Sequence, residues 1–136
     1  QEHAEQEQLT HKRAAYDHIL LDTYTRVSDL EETRDRYIVT LEGAIKVAQH
    51  KLINLNHDLD KLKRSSANLE REGKIVTEDM ARDTTNLQSQ IERENSFIRA
   101  QRSQQTEVKE KFAADIKRYQ ELKSAQKEEN SGTGRN

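Results

Sequence analysis

Imidazole titrates near neutrality and is the commonest metal ligand, so the five histidines are the residues of this 136-residue chain best suited to chemistry. His11 and His18 are seven residues apart, as are His50 and His57, which puts each pair on one face of a helix. The apolar periodicity decides what that face meets. With Leu9, Tyr16, Ala48 and Leu55 at heptad position d, all four histidines fall at f, the outermost position, where the partner is solvent. No HExxH, glycine-rich phosphate loop, GxSxG elbow or EF-hand pattern occurs. Cysteine is absent, which removes thiol nucleophiles, disulfides and Cys-based zinc sites. The expectation is a chain that is not an enzyme and has no catalytic, cofactor-binding or metal residues.

The surrounding composition points the same way. Charged residues make up 35% and apolar ones 32%, against the 45–50% apolar usage typical of globular domains. Six aromatics, four glycines, no tryptophan and no proline leave little to fill a large core or to punctuate turns. No run of about 18 apolar residues exists, so no membrane span is predicted, and residues 1–8 are a polar lead-in rather than a signal peptide.

What organises the chain is a 4-3 apolar spacing that begins at Leu9. Its apolar members include Leu20, Val27, Leu30, Leu41, Leu52, Leu55, Leu59, Leu62, Leu69, Val76, Met80, Leu87, Ile91, Val108, Phe112 and Leu122, the expected association seam. In this register about 68% of seam positions are apolar against about 20% elsewhere, and the pattern outlasts the three or four heptads that define a coiled coil. Extra steps of four near 41–45 and 80–84 read as stutters. The fold class expected is therefore all-α: one long, largely continuous helix over 9–129 forming a two-stranded coiled coil, with membership of a larger bundle left open. Residues 130–136, with Gly132 and Gly134, read as a flexible tail. Ser28 with Glu31 resembles a capping box, but Val27 and Leu30 carry the heptad through it. The stretch 64–74, with Ser65, Ser66, Asn68 and Gly73, is the one place where the chain could instead reverse into an antiparallel hairpin.

Flanking charges bear on partner choice. In a parallel homodimer Lys12 would meet Asp17, Arg26 would meet Glu31, and Asp58 would meet Lys63. Towards the C-terminus Lys109, Lys111, Arg118 and Lys123 are all basic at e or g, and Arg118 would face Lys123. The seam there holds Glu94, Gln101, Gln105, Asp115 and Gln126, while Arg13 and Arg34 sit at a positions. Polar seam residues cost stability and select partners, so Arg34, Lys109, Lys111, Asp115, Arg118 and Lys123 are the expected specificity residues of a heteromeric C-terminal half.

The function expected is that of a structural segment in a larger cytoskeletal or scaffold assembly, mediating helix association and spacing. In general character the chain resembles the long rods of ciliary, centrosomal, kinetochore and tethering assemblies, although the Ala-rich core clusters of tropomyosin are missing. The expected partner is another coiled-coil chain, within a larger filament or microtubule-based assembly, with no nucleic acid and no membrane, and the expected location is cytoplasmic and cytoskeletal. The alternative is a helical-hairpin binding module. Its basic C-terminal part, with eight basic and four acidic residues over 99–127, would dock an acidic surface such as tubulin tails.

Overall fold

A computed structural model describes residues 1–133 as three α-helices, with no strand among them: α1 (Glu2–Thr23), α2 (Val27–Arg71) and α3 (Glu78–Thr133). The all-helical class matches the expectation. The single continuous helix over 9–129 does not, because the chain breaks twice, and each break has a local cause.

At the first break Tyr24 is extended (φ −119°, ψ 140°) while its N–H still donates to the Leu20 carbonyl. Asp29 restarts the helix: its carboxylate accepts the Thr25 N–H at 3.1 Å and the Arg26 Nε–H at 3.3 Å. A carboxylate in the first turn satisfies donors that a new helix leaves unpaired, and it complements the positive end of the helix. Val27 and Leu30 thus keep the heptad spacing while lying beyond a corner, which corrects the reading that the helix runs straight through Ser28.

The second break is a Schellman turn. Gly73 adopts φ +72°, its N–H donates to the Glu70 carbonyl at 3.0 Å, and the Lys74 N–H reaches the Leu69 carbonyl at 2.8 Å. Glycine adopts this left-handed conformation without the steric penalty of a Cβ. Thr77 then opens α3, its Oγ1 accepting the Met80 N–H at 3.2 Å. The reversal therefore occurs over residues 72–77, at the C-terminal edge of the stretch where the sequence allowed one.

α3 continues through Thr133, so the helix covers residues 130–133 where a flexible tail was expected; 134–136 lie outside the described residues.

The chain divides into two compact units. The first comprises Gln1–Ile38 with the described part of Thr106–Asn136. Here α1, the start of α2 and the end of α3 enclose Leu20, Leu30, Phe112 and Tyr119, against which Leu21, Tyr24, Val27, Val108 and Ile116 pack. The second, Val39–Gln105, is an antiparallel hairpin formed by the remainder of α2, the Gly73 turn and the start of α3. Two helices can cover only one stripe of each other. Ile45, Ala48 and Gln105 are buried in this unit, while Leu52, Leu55, Leu59 and Leu62 are only partly buried.

Candidate interaction surface

In the first unit α1 is fastened to α3 by polar contacts. The Tyr16 hydroxyl donates to Oδ1 of Asp115, a carboxylate that is only 7% exposed. Arg118 grips Asp17 with two hydrogen bonds, Nε to Oδ1 at 2.9 Å and Nη2 to Oδ2 at 2.7 Å, and its Nη1 reaches Glu121 at 3.1 Å. A guanidinium fork on a carboxylate fixes geometry as well as charge. The Tyr119 hydroxyl donates to the Tyr24 carbonyl at 3.2 Å, which satisfies the backbone at the α1–α2 corner.

These contacts shift titrations. Burial, and then the Asp115 carboxylate to which it donates, push the Tyr16 hydroxyl up to about 12. The hydrogen bond from Arg118 holds Asp17 below the usual carboxylate range, and Arg118 is correspondingly raised. The arrangement positions one helix on another. It offers no open nucleophile beside a base.

Of the expected specificity residues, Asp115 and Arg118 therefore meet α1 of their own chain. Lys111 and Lys123 lie over the rings of Phe112 and Tyr119, 5.5 Å and 5.6 Å from the centroids, and Arg34 pairs with the adjacent Asp35 at 3.0 Å. Lys109 is exposed. A parallel homodimer would pair Asp17 with Lys12 instead. The Asp17–Arg118 pair spans 101 residues and had no signal in a one-helix register.

The seam residues occupy less exposed positions throughout. Leu20, Leu30 and Phe112 are buried in the first unit, with Val27, Val108 and Leu122 half-buried. In the second unit Leu41, Leu52, Leu55, Leu59, Leu62, Leu69, Val76, Met80, Leu87 and Ile91 are half-buried. Polar seam residues also find use inside the chain: Gln105, 8% exposed, donates from Nε2 to Glu42 Oε2 at 2.9 Å. By contrast Leu9 is 50% exposed, so the N-terminal start of the stripe is the least covered of these positions.

On one face of the hairpin unit, three recesses of about 540, 360 and 340 Å³ follow one another between the α2 and α3 arms. Adjacent recesses share lining residues: Gln90 belongs to the first two, and Lys51, Arg93 and Glu94 to the last two. They form one groove running from Ala44 and Phe97 to Ser65 and Asp83, with Ala48, Leu55, Leu62 and Leu87 in its lining. Val47 and Phe97 stand open at one end, 58% and 42% exposed. A lining that alternates leucine, alanine and phenylalanine with charged and amide side chains suits the face of another amphipathic helix better than a small polar substrate.

No group of three or more His, Asp or Glu side chains that could hold a metal occurs among the described residues, and His11, His18, His50 and His57 are exposed. None of the helices among these residues is long and apolar enough to cross a membrane. Comparison with protein-family models, with curated proteins and with solved structures returns no match.

Proposed function

We propose that this protein is a non-enzymatic helical association module, working as a structural or scaffold element that binds a further helix-bearing chain. The observation that supports it is the unfinished core of the hairpin unit. Leu55, Leu62 and Leu87, which a three- or four-helix arrangement would cover fully, are only partly buried and line a continuous groove. Burying apolar side chains is the main source of association free energy, so such a groove gains most by acquiring a third and fourth helix. A place in a cytoskeletal assembly, in the cytoplasm, is consistent with this reading as the setting of such modules.

The alternative of a basic segment gripping an acidic surface draws support from the chain reversal but not from the charges. Residues 1–38, in the same unit as the basic end of α3, carry five basic and nine acidic side chains, and Arg118 is already held by Asp17 and Glu121. The test replaces Phe97 in the groove, or Ile75 at the turn, with a photo-cross-linking phenylalanine analogue in cells. Adducts with protein are expected from position 97 and not from position 75, which is 88% exposed but outside the groove. Absence of any adduct from position 97 defeats the proposal.

A further inference from the structure

The groove of the hairpin unit is electrically lopsided. Around its Phe97 end stand Lys51 and Arg93 with one carboxylate, Glu94; around its other end stand Asp58 and Asp83 with one cation, Lys61. One half is therefore net positive by a unit and the other net negative by a unit. Among the described residues none of these six side chains takes part in an ion pair or hydrogen bond, so their charges are available outward. Gln90 lies between the halves, shared by two recesses, with Leu55 opposite it on α2.

We infer that the occupant of this groove is the same groove of a second copy, related by a two-fold axis crossing both helices near Leu55 and Gln90. This rests on the association reading above and specifies the partner. A surface that pairs with itself through a two-fold must carry opposite charge at equal distances from the axis, because each residue meets the residue that the symmetry sends across. The axis sends Lys51 towards the partner's Asp58, four and three residues from Leu55, and brings Arg93 to the side of the partner's Asp83, the two being three and seven residues from Gln90 and so offset by about 6 Å along the helix, a gap an extended arginine side chain spans. Rotation about an axis parallel to the helices would instead bring Lys51 over the partner's Arg93, a like-charge contact, so charge selects the first arrangement. Gln90 meets its own equivalent, and a side-chain amide, donor and acceptor at once, is self-complementary. A polar pair on the axis fixes register as a core Asn does in coiled coils.

The size is sufficient. From Ala44 to Ser65 the α2 arm is about 32 Å long, and two helices side by side are about 20 Å wide. That gives roughly 640 Å² per copy and about 1,300 Å² in all, above the roughly 1,000 Å² that separates specific interfaces from incidental contacts. The first unit shows what such a face accepts. Glu94 and Phe97 lie three heptads before Asp115 and Arg118 on α3, and at Asp115 and Arg118 the equivalent face receives α1.

The test is sedimentation velocity and equilibrium of the full chain over a concentration series. The expected species is a dimer of about 32 kDa, twice 15.9 kDa. K51E/R93E makes the groove wholly acidic at its charged rims except for Lys61, and D58K/D83K makes it wholly basic except for Glu94. Each is expected to weaken self-association at least about tenfold, because every substitution counts twice across the two-fold, while an equimolar mixture of the two recovers the dimer. Since the chain has no cysteine, Gln90→Cys supplies a second readout: mild oxidation links two copies at position 90, whereas Ile75→Cys gives no comparable linkage. A wild-type chain that stays monomeric overturns the second copy as occupant; the association reading then stands or falls on the cross-link from position 97. A dimer unaffected by either charge change, or linked as readily at 75 as at 90, overturns the groove as its interface and leaves association itself intact.

Discussion

Replacing Gly73 by alanine separates the hairpin from a continuous rod by the sign of its effect. In the hairpin, residue 73 has φ +72°, and a Cβ there meets no atom within 4 Å, so the cost is conformational and not a clash. Forcing an L-residue into this region costs about 1–2 kcal/mol, from which about 0.4–1 kcal/mol is recovered by the reduced freedom of the unfolded chain. Gly73→Ala is therefore expected to destabilise by about 1 kcal/mol, lowering the melting temperature by roughly 4 °C for a chain of this size. In an uninterrupted helix the same change would stabilise by about 1 kcal/mol, the difference in helix propensity. Gly43, inside α2 with open space around it, is the internal control: Gly43→Ala should stabilise by about that amount. Gly73→Asn should lose less than Gly73→Ala, because Asn tolerates the left-handed region. Thermal and urea melts followed by far-UV circular dichroism read all three. A Gly73→Ala variant as stabilised as Gly43→Ala would refute the turn and the hairpin built on it.

Thr77→Ala removes the acceptor of the Met80 N–H and should cost about 1 kcal/mol in the same melts. Leu30→Ala empties a fully buried position and should cost about 2–5 kcal/mol, whereas Leu9→Ala, at a half-exposed position of the same seam, should be near neutral. Tyr16 has its hydroxyl pushed up to about 12. Its contribution is therefore whole below the ordinary tyrosine value of about 10 and is lost as pH rises through the raised one; Tyr16→Phe should flatten urea stability over that alkaline window. Asp17 is depressed by Arg118, so its contribution is present above the ordinary carboxylate value and disappears as pH falls through the lowered one. Arg118→Gln and wild type should accordingly converge in acid and diverge near neutrality.

The helical class, and which face of each helix turns inward, were legible because burial follows apolar periodicity whatever the helix packs against. Phe112 is fully, and Leu55, Leu62 and Leu87 are partly, screened from solvent whether the opposite helix belongs to the same chain or to another. Connectivity was not legible from that periodicity. Asp29 capping, a tyrosine in extended conformation and one glycine in the left-handed region each act on a few residues and barely disturb the spacing around them. The contacts between α1 and α3 in the first unit were illegible for a related reason. Tyr16–Asp115 and Asp17–Arg118 depend on two corners, and a register written along one straight helix places those residues far apart.

One feature of the spacing nevertheless encodes the reversal. Counted outward from Gly73, Ser66 and Met80 are each seven residues away, Leu62 and Thr84 eleven, Leu59 and Leu87 fourteen, and Leu55 and Ile91 eighteen. An uninterrupted heptad leaving Gly73 in both directions would not match in this way, because its steps of three and four come in opposite order on the two sides. The extra step of four at 80–84, which reads as a stutter in a straight coiled coil, brings the two sides into step. In an antiparallel hairpin, residues equidistant from the turn lie at the same level, so the irregularity aligns the apolar layers of α2 with those of α3. The groove follows that alignment to within a helical turn: Leu62 and Leu87, eleven and fourteen residues from Gly73, line one recess, and Leu55 and Gln90, eighteen and seventeen residues away, line the next. Deleting Asp83 should shift the arm beyond it by one residue, turning Leu87 and Ile91 out of level with Leu59 and Leu55. The hairpin is then expected to melt at lower temperature than the exposed substitution Asp83→Ser. If the deletion and the substitution melt alike, the matched spacing about Gly73 is not what holds the two arms in register.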